Sequence, residues 1–175
     1  MTRTSQEWWD ATKHNHQALV KWLKDQYHGE RMAAVRIDQA FKGFELSILR
    51  RSLVTRVARE EAVHARWIGE LLYNRGVEPA ILDKEERYWS AVGVDMSTAE
   101  DVAAIAHHAE TMRLERIRAI VEDPHTADDI RAVFKRILPM EVKHAKWFEF
   151  LTTPQHLAKH LDNHKAGRQA LGLVV

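Results

Sequence analysis

Two heptapeptides carry the residues that can do chemistry. Residues 61–67 read EAVHARW and residues 141–147 read EVKHAKW, so Glu61, His64 and Trp67 recur as Glu141, His144 and Trp147 at an offset of 80. Upstream, His28, Glu30, Met32, Arg36 and Ile37 recur at the same offset as His108, Glu110, Met112, Arg116 and Ile117. A single Glu thus precedes each Glu-x-x-His by 31 residues, and the chain holds two copies of one helical hairpin pattern. On an α-helix, positions i and i+3 lie on nearly one face, about a turn apart. Glu and His at that spacing can reach the same metal pair. A carboxylate can bridge two cations, and a neutral imidazole nitrogen binds one of them. The four carboxylates Glu30, Glu61, Glu110 and Glu141 balance two divalent ions, and with His64 and His144 they suit iron or manganese better than zinc.

One Glu-x-x-His alone says little, since about one is expected by chance in a chain of this composition. A third match, Glu122-Asp-Pro-His125, contains Pro124 and reads as a turn rather than a helical ligand pair. The joint pattern of two motifs, two leading Glu residues and a common offset is specific. The opposing reading, a duplicated bundle with relic Glu and His, would place four carboxylates on core faces with nothing to neutralise them, which is costly.

The elements that must position these residues follow from apolar spacing. Helix A is predicted over residues 13 to about 42, with Leu19, Trp22, Leu23, Tyr27, Glu30, Ala34, Ile37 and Phe41 on one face and Gly29 as a candidate kink. Helix B is predicted from about 45 to 75, with an inner stripe of Leu46, Leu49, Leu53, Val57, Glu61, His64, Ile68, Leu71 and Leu72, and Gly76 as its C-terminal cap. Residues 76–97, with Pro79 and Gly93, form a long connection with a short helical piece near Asp83–Ala91. At full extension such a segment spans about 70 Å, enough to run the length of a bundle. Thr98 with Asp101 reads as a capping box opening helix C, which continues to about Val121. Helix D is predicted from near Thr126 to near Leu151, with Asp128 and Asp129 in its first turn and Pro139 bending it. Ser5 is a good N-cap for a short helix or for the start of the first long one, Thr153-Pro154 opens a fifth helix, and the last nine residues are expected to fray. The turns of the two hairpins fall beside Gly43 and within Pro124-His125-Thr126, midway between the paired ligands.

The 175 residues fit one all-α domain: 13–75 as the first hairpin, 98–152 as the second, and 153–175 as a C-terminal helix and tail. Apolar residues make up 45% and the net charge is +1, so nothing points to nucleic acid or a membrane surface. The absence of Cys excludes disulfides, thiolate metal sites and a rubredoxin-type iron centre within these residues. No apolar run reaches membrane-spanning length and no signal-peptide core opens the chain, so a cytoplasmic location is expected.

The ligand pattern over residues 13–152 resembles the ferritin-like di-iron carboxylate superfamily, which includes bacterioferritins, rubrerythrins and di-iron oxygenases. That resemblance implies a four-helix bundle with a long crossover between helices B and C. It also implies two iron ions, with Mn/Fe or Mn/Mn as alternatives. Glu30 and His64 would then serve one ion, Glu110 and His144 the other, and Glu61 and Glu141 would bridge. Three departures stand out. Rubrerythrins usually carry a further Glu three residues after the third-helix Glu, where this chain has Arg113. They usually carry a Cys-rich domain. Bacterioferritin's haem-ligating Met follows the first bridging Glu, where this chain has Ala62.

The two halves also differ around the ligands. Ala33 and Ala34 have Arg113 and Leu114 as mates. Ala34 can leave room for oxygen or substrate, or it can simply accommodate neighbours. Arg113 can hold a substrate carboxylate, or it can pair with a ligand. Tyr27 and His107, one turn before the single Glu residues, are candidates to orient a ligand or relay protons. Trp67 and Trp147 read as core, with electron transfer the sharper alternative. His156, His160 and His164 form an i, i+4, i+8 stripe that reads as a solvated face, with weak metal binding the alternative. The function expected is a di-iron oxidase or oxygenase activating O2 on a small organic substrate. The alternatives are a ferroxidase handling iron and a rubrerythrin-like peroxide reductase. The expected partners are O2 or peroxide, a small organic substrate and an electron donor, with a homodimer allowed for.

Overall fold

The computed structural model describes residues 2–92 and 96–174, so Gly93 of the long connection lies outside the described residues. Among the described residues there are eight α-helices: α1 (Ser5–Lys13), α2 (His16–Phe41), α3 (Ile48–Tyr73), α4 (Arg87–Val92), α5 (Ala99–Glu122), α6 (Asp128–Leu151), α7 (Pro154–Lys159) and α8 (Leu161–Ala170). No helix is long and apolar enough to cross a membrane.

The helix ends have local causes. Asn15 interrupts the single helix predicted from residue 13; its side chain accepts from Ala18 N at 3.0 Å and starts α2 afresh. Ser47 caps α3 in the same way, accepting from Arg50 N at 3.3 Å. At the far end of α3, Gly76 takes φ +69, and Val77 N reaches back to Leu72 O at 3.1 Å, the closure that the predicted glycine cap requires. The Thr98–Asp101 capping box forms as predicted. Thr98 N donates to Asp101 Oδ2 at 3.0 Å and Asp101 N donates to Thr98 Oγ1 at 3.1 Å. Neither Gly29 nor Pro139 breaks its helix, since α2 and α6 run through them.

The chain forms two compact units: residues 1–9, 84–119 and 138–175 make one, and residues 10–83 and 120–137 the other. In the second, α2 packs along α3, with Leu23, Phe41, Val57, Ile68 and Leu72 buried and Trp22 stacked on Phe134 at 5.3 Å. Both hairpin turns are closed by an arginine. Arg51 donates to Phe41 O at 3.0 Å and to Phe44 O at 2.7 Å, while Arg131 donates to Asp123 O and Thr126 O, both at 2.8 Å. Arg131 lies 80 residues after Arg51, so the repeat extends to the residues that close its turns. The buried stripe of α3 runs through Val54, Val57 and Glu61. Extended backward it passes Arg50 and Ser47, which leaves Leu49 in solvent rather than in the predicted stripe, with Ile48 exposed next to it.

In the first unit α4 packs on α8, and Tyr88, Val92, Ile105, Met112 and Leu173 form a shared apolar cluster. Here the expectation of a frayed tail is overturned. Helix α8 runs to Ala170, Gly172 turns the chain with φ +71, and Leu173 is buried and bridged to Arg3. The approach of α8 to α4 depends on Gly167, where a Cβ would stand 2.6 Å from two carbons of the Tyr88 ring and 2.9 Å from Val92. Gly167→Ala is therefore expected to destabilise by about 1–3 kcal/mol, despite alanine's better helix propensity. Chemical denaturation measures it, and a variant as stable as the parent would show that the helices do not need this close approach.

Candidate metal centre

Each unit holds one buried Glu, Glu, His triad. In the second unit Glu30 comes from α2, and Glu61 and His64 come from one face of α3; all three are fully buried. His64 Nδ1 stands 3.7 Å from Glu30 Oε2 and 3.9 Å from Glu61 Oε2. In the first unit Glu110 comes from α5, and Glu141 and His144 from α6, with His144 Nδ1 3.3 Å from Glu141 Oε2. Within each triad the donor atoms lie within 4.8 Å of one another, close enough to hold a metal ion. Separations of 3.7 and 3.9 Å are long for a hydrogen bond. They suit two ligands of one cation, each about 2.1 Å from it. Hard oxygens with one imidazole per triad fit iron or manganese.

The surroundings repeat in part. His64 and Trp67 rings are 5.9 Å apart at 35°, and His144 and Trp147 are 6.0 Å apart at 35°. Both tryptophans are half-buried rather than core, and Arg136 stacks over Trp67 at 4.0 Å. His28 and His108 each tie a distant segment to their helix. His28 Nδ1 accepts from Leu82 N at 3.1 Å, and His108 Nε2 donates to Leu157 O at 3.0 Å.

The other candidates are placed as follows. Arg113 Nε lies 3.1 Å from Glu141 Oε1, so of its two readings the ion pair with a ligand candidate is the one observed. His107 Nδ1 donates to Ala145 O at 2.9 Å, which locks the backbone beside His144 and leaves Nε2 as the second nitrogen of that ring. The Tyr27 ring lies against Gly69 and Pro79, on an open groove of about 350 Å³ also lined by Arg66 and Tyr73. Ala34 is half-buried, whereas its mate Leu114 is buried.

The histidine stripe is not a solvated face. His156 bonds Thr153 Oγ1 at 2.7 Å, and His160 is fully buried against Asp101 at 2.8 Å. His164 Nδ1 meets the Tyr88 hydroxyl at 2.9 Å and its ring stacks on His108 at 4.9 Å. Burial, then the charges of His108 and Arg168, holds the His164 imidazolium down to about 4, so at neutral pH the ring accepts from the phenol. Burial, with the Glu110 charge, pushes the Tyr88 phenol up. Sequence reasoning missed Tyr88, whose only signal was an aromatic pair in a presumed connection.

A family model for rubrerythrin matches residues 21–152, which is 132 of the 175 residues and includes both triads. The chain belongs to the rubrerythrin family. Comparison with curated proteins and with solved structures returned no match. As a rubrerythrin-family chain it has the all-α, ferritin-like bundle fold of a di-iron carboxylate family, and membership points to di-iron redox chemistry. Among rubrerythrins Arg113 remains a departure, a guanidinium where a further Glu is usual.

Proposed function

We propose that the two triads supply the ligands of a di-iron protein, and that this protein is a non-haem oxidase or oxygenase using O2 on a small organic substrate. Glu30 with His64, and Glu110 with His144, would hold one ion each, and Glu61 and Glu141 would be shared. The bound iron pair would supply electrons to O2, with a reductant restoring them. The chain's own residues supply ligands, dryness and orientation. Burial of the ligand side chains excludes bulk water from the donors. His107 fixes the Ala145 carbonyl, and so the backbone that carries His144. Arg113 occupies Glu141 Oε1 and leaves Oε2 toward His144.

The Arg113–Glu141 contact carries this reading. It puts a cation where a peroxide-reducing rubrerythrin would place another carboxylate. Family membership itself favours the second reading, reduction of peroxide to water by two electrons and two protons from a donor.

Rapid mixing of the di-ferrous protein separates these readings. The oxidase reading expects faster oxidation by O2 than by peroxide, and no repeated turnover of added Fe(II). Ala34→Leu should slow organic oxidation by roughly ten- to a hundred-fold while both metals stay bound. Faster reaction with peroxide would favour the reductase, and sustained Fe(II) turnover would favour a ferroxidase.

A further inference from the structure

The first unit carries a concentration of guanidinium groups, only one of which touches a ligand candidate. Arg113 and Arg116 follow Glu110 at successive turns of α5, Arg87 comes from α4 and Arg168 from α8. Two are committed. Arg113 pairs with Glu141 at 3.1 Å, and Arg168 forms a two-point pair with Glu115 at 2.9 and 3.0 Å. Arg87 is exposed. Arg116 is different: its Nε is buried and has no hydrogen-bond partner among the described residues. Its guanidinium lies 5.2 Å from the centre of the Trp8 ring. Stacking on an aromatic face offsets only part of the cost of drying a cation, and it leaves the in-plane N–H groups aimed elsewhere.

We propose that Arg116, with Arg87 of α4 as a second cation, forms an anion site that takes the carboxylate or phosphate group of a small molecule. The proposal rests on the oxidase reading only in naming that molecule as its substrate. A guanidinium presents two parallel N–H donors that match two oxygens of a carboxylate or phosphate. Burial first, then the charges of Arg168, Arg87 and Arg113, holds the Arg116 guanidinium down to about 10, with Glu115 opposing. Glu115 already spends both oxygens on Arg168, so an incoming anion meets an excess of positive charge. The order along α5 is also apt. Glu110 is a ligand candidate, Arg113 touches Glu141, and Arg116 is one turn further out, so an anchored anion would direct the rest of the molecule toward the metal end of the helix.

The test is anion titration of the full-length protein, metal-free and iron-loaded, with inorganic phosphate and with acetate against chloride at equal ionic strength. Trp8 fluorescence, with Trp8→Phe as the control, reports occupancy next to Arg116, and the melting temperature reports linkage. The parent should saturate with phosphate or acetate, and whichever binds more tightly identifies the group. Arg116→Gln should lose at least about tenfold in affinity, and Arg87→Gln less. Without anion, Arg116→Gln should melt no lower than the parent, because it removes a cation whose buried Nε has no hydrogen-bond partner. An equal response in Arg116→Gln, or a parent response that chloride reproduces, would overturn the proposal, as would a lower melting point with no anion effect. Should Arg116→Gln fail to fold, an unchanged affinity in the surface variant Arg87→Gln would overturn the two-arginine site. Binding to metal-free protein is independent of iron chemistry, so a failed oxidase reading leaves this result standing, and the reverse also holds.

Discussion

Glu61→Ala and Glu141→Ala are each expected to drop metal content from about two ions per chain to well below one. Both carboxylates are fully buried, each on one helical face with its histidine three residues on. If each bridges, its loss takes a donor from both ions at once and leaves the surviving ligands around an unbalanced pair of cations. Removing even an outer partner of a ligand costs 10–100-fold in affinity by general experience, so loss of a bridge should cost more. Elemental analysis of protein produced with iron gives the count, and the melting temperature gives a second readout. The parent should melt higher with metal than without at pH 7, because metal binding to the folded state adds to stability. In both variants that difference should collapse. Full metal occupancy in both would remove these carboxylates as bridges.

The helices and the buried Glu and His residues were legible because their signals are local and repeated. Spacing alone placed Glu30, Glu61, His64, Glu110, Glu141 and His144 on inner helix faces, where the structure buries them. The Thr98–Asp101 box and the Gly76 cap were readable for the same reason, since each is a contact between near neighbours. What was missed depends on partners distant in sequence. Asp101 was readable as a cap but not as the partner of His160, 59 residues away. Arg168 could not be assigned to Glu115, 53 residues away. The three C-terminal histidines looked like a solvated stripe because even spacing on a polar segment carries no trace of the α5 residues Asp101 and His108 that meet His160 and His164. The boundary at Asn15 could not be placed because the apolar stripe begins only at Leu19, while a single side chain decides where α2 starts.

The repeat also shows which parts of the hairpin were kept and which diverged. The turn-closing arginines, the helix-tying histidines and the Glu-x-x-His-x-x-Trp face recur in the structure as contacts, not only as letters. The residues three and four beyond the single Glu do not: the alanines of one half correspond to an arginine and a leucine in the other. Ligand geometry is held twice over, while the space beside it differs between halves.

Asp101→Ala is expected to cost about 3–5 kcal/mol, although Asp101 belongs to neither triad. Its carboxylate is 1% exposed and accepts from five donors. Oδ1 takes His160 Nε2 at 2.8 Å and Lys159 Nζ at 2.9 Å. Oδ2 takes Thr98 N at 3.0 Å, Thr98 Oγ1 at 2.8 Å and Ser97 Oγ at 3.2 Å. One side chain therefore caps α5 and fastens the α7–α8 junction to it. Alanine would leave fully buried His160 facing a void and would open the cap at the same time. For a chain of this size the melting temperature should fall by roughly 8–15 °C. Burial pushes the Asp101 carboxyl up, but hydrogen bonds from Lys159, His160 and Thr98, with the Lys159 charge, outweigh it and hold the group well below the usual carboxylate range. A depressed native value stabilises the fold above the unfolded value of about 4, and that contribution is lost as pH falls toward the native value. The parent should therefore lose stability between about pH 4 and lower pH more steeply than Asp101→Asn, which has no charge to lose there. Denaturation at a series of pH values compares the two slopes. Parallel curves, or an alanine variant within 1 °C of the parent, would show that the C-terminal helices are held by their apolar cluster and not by this carboxylate.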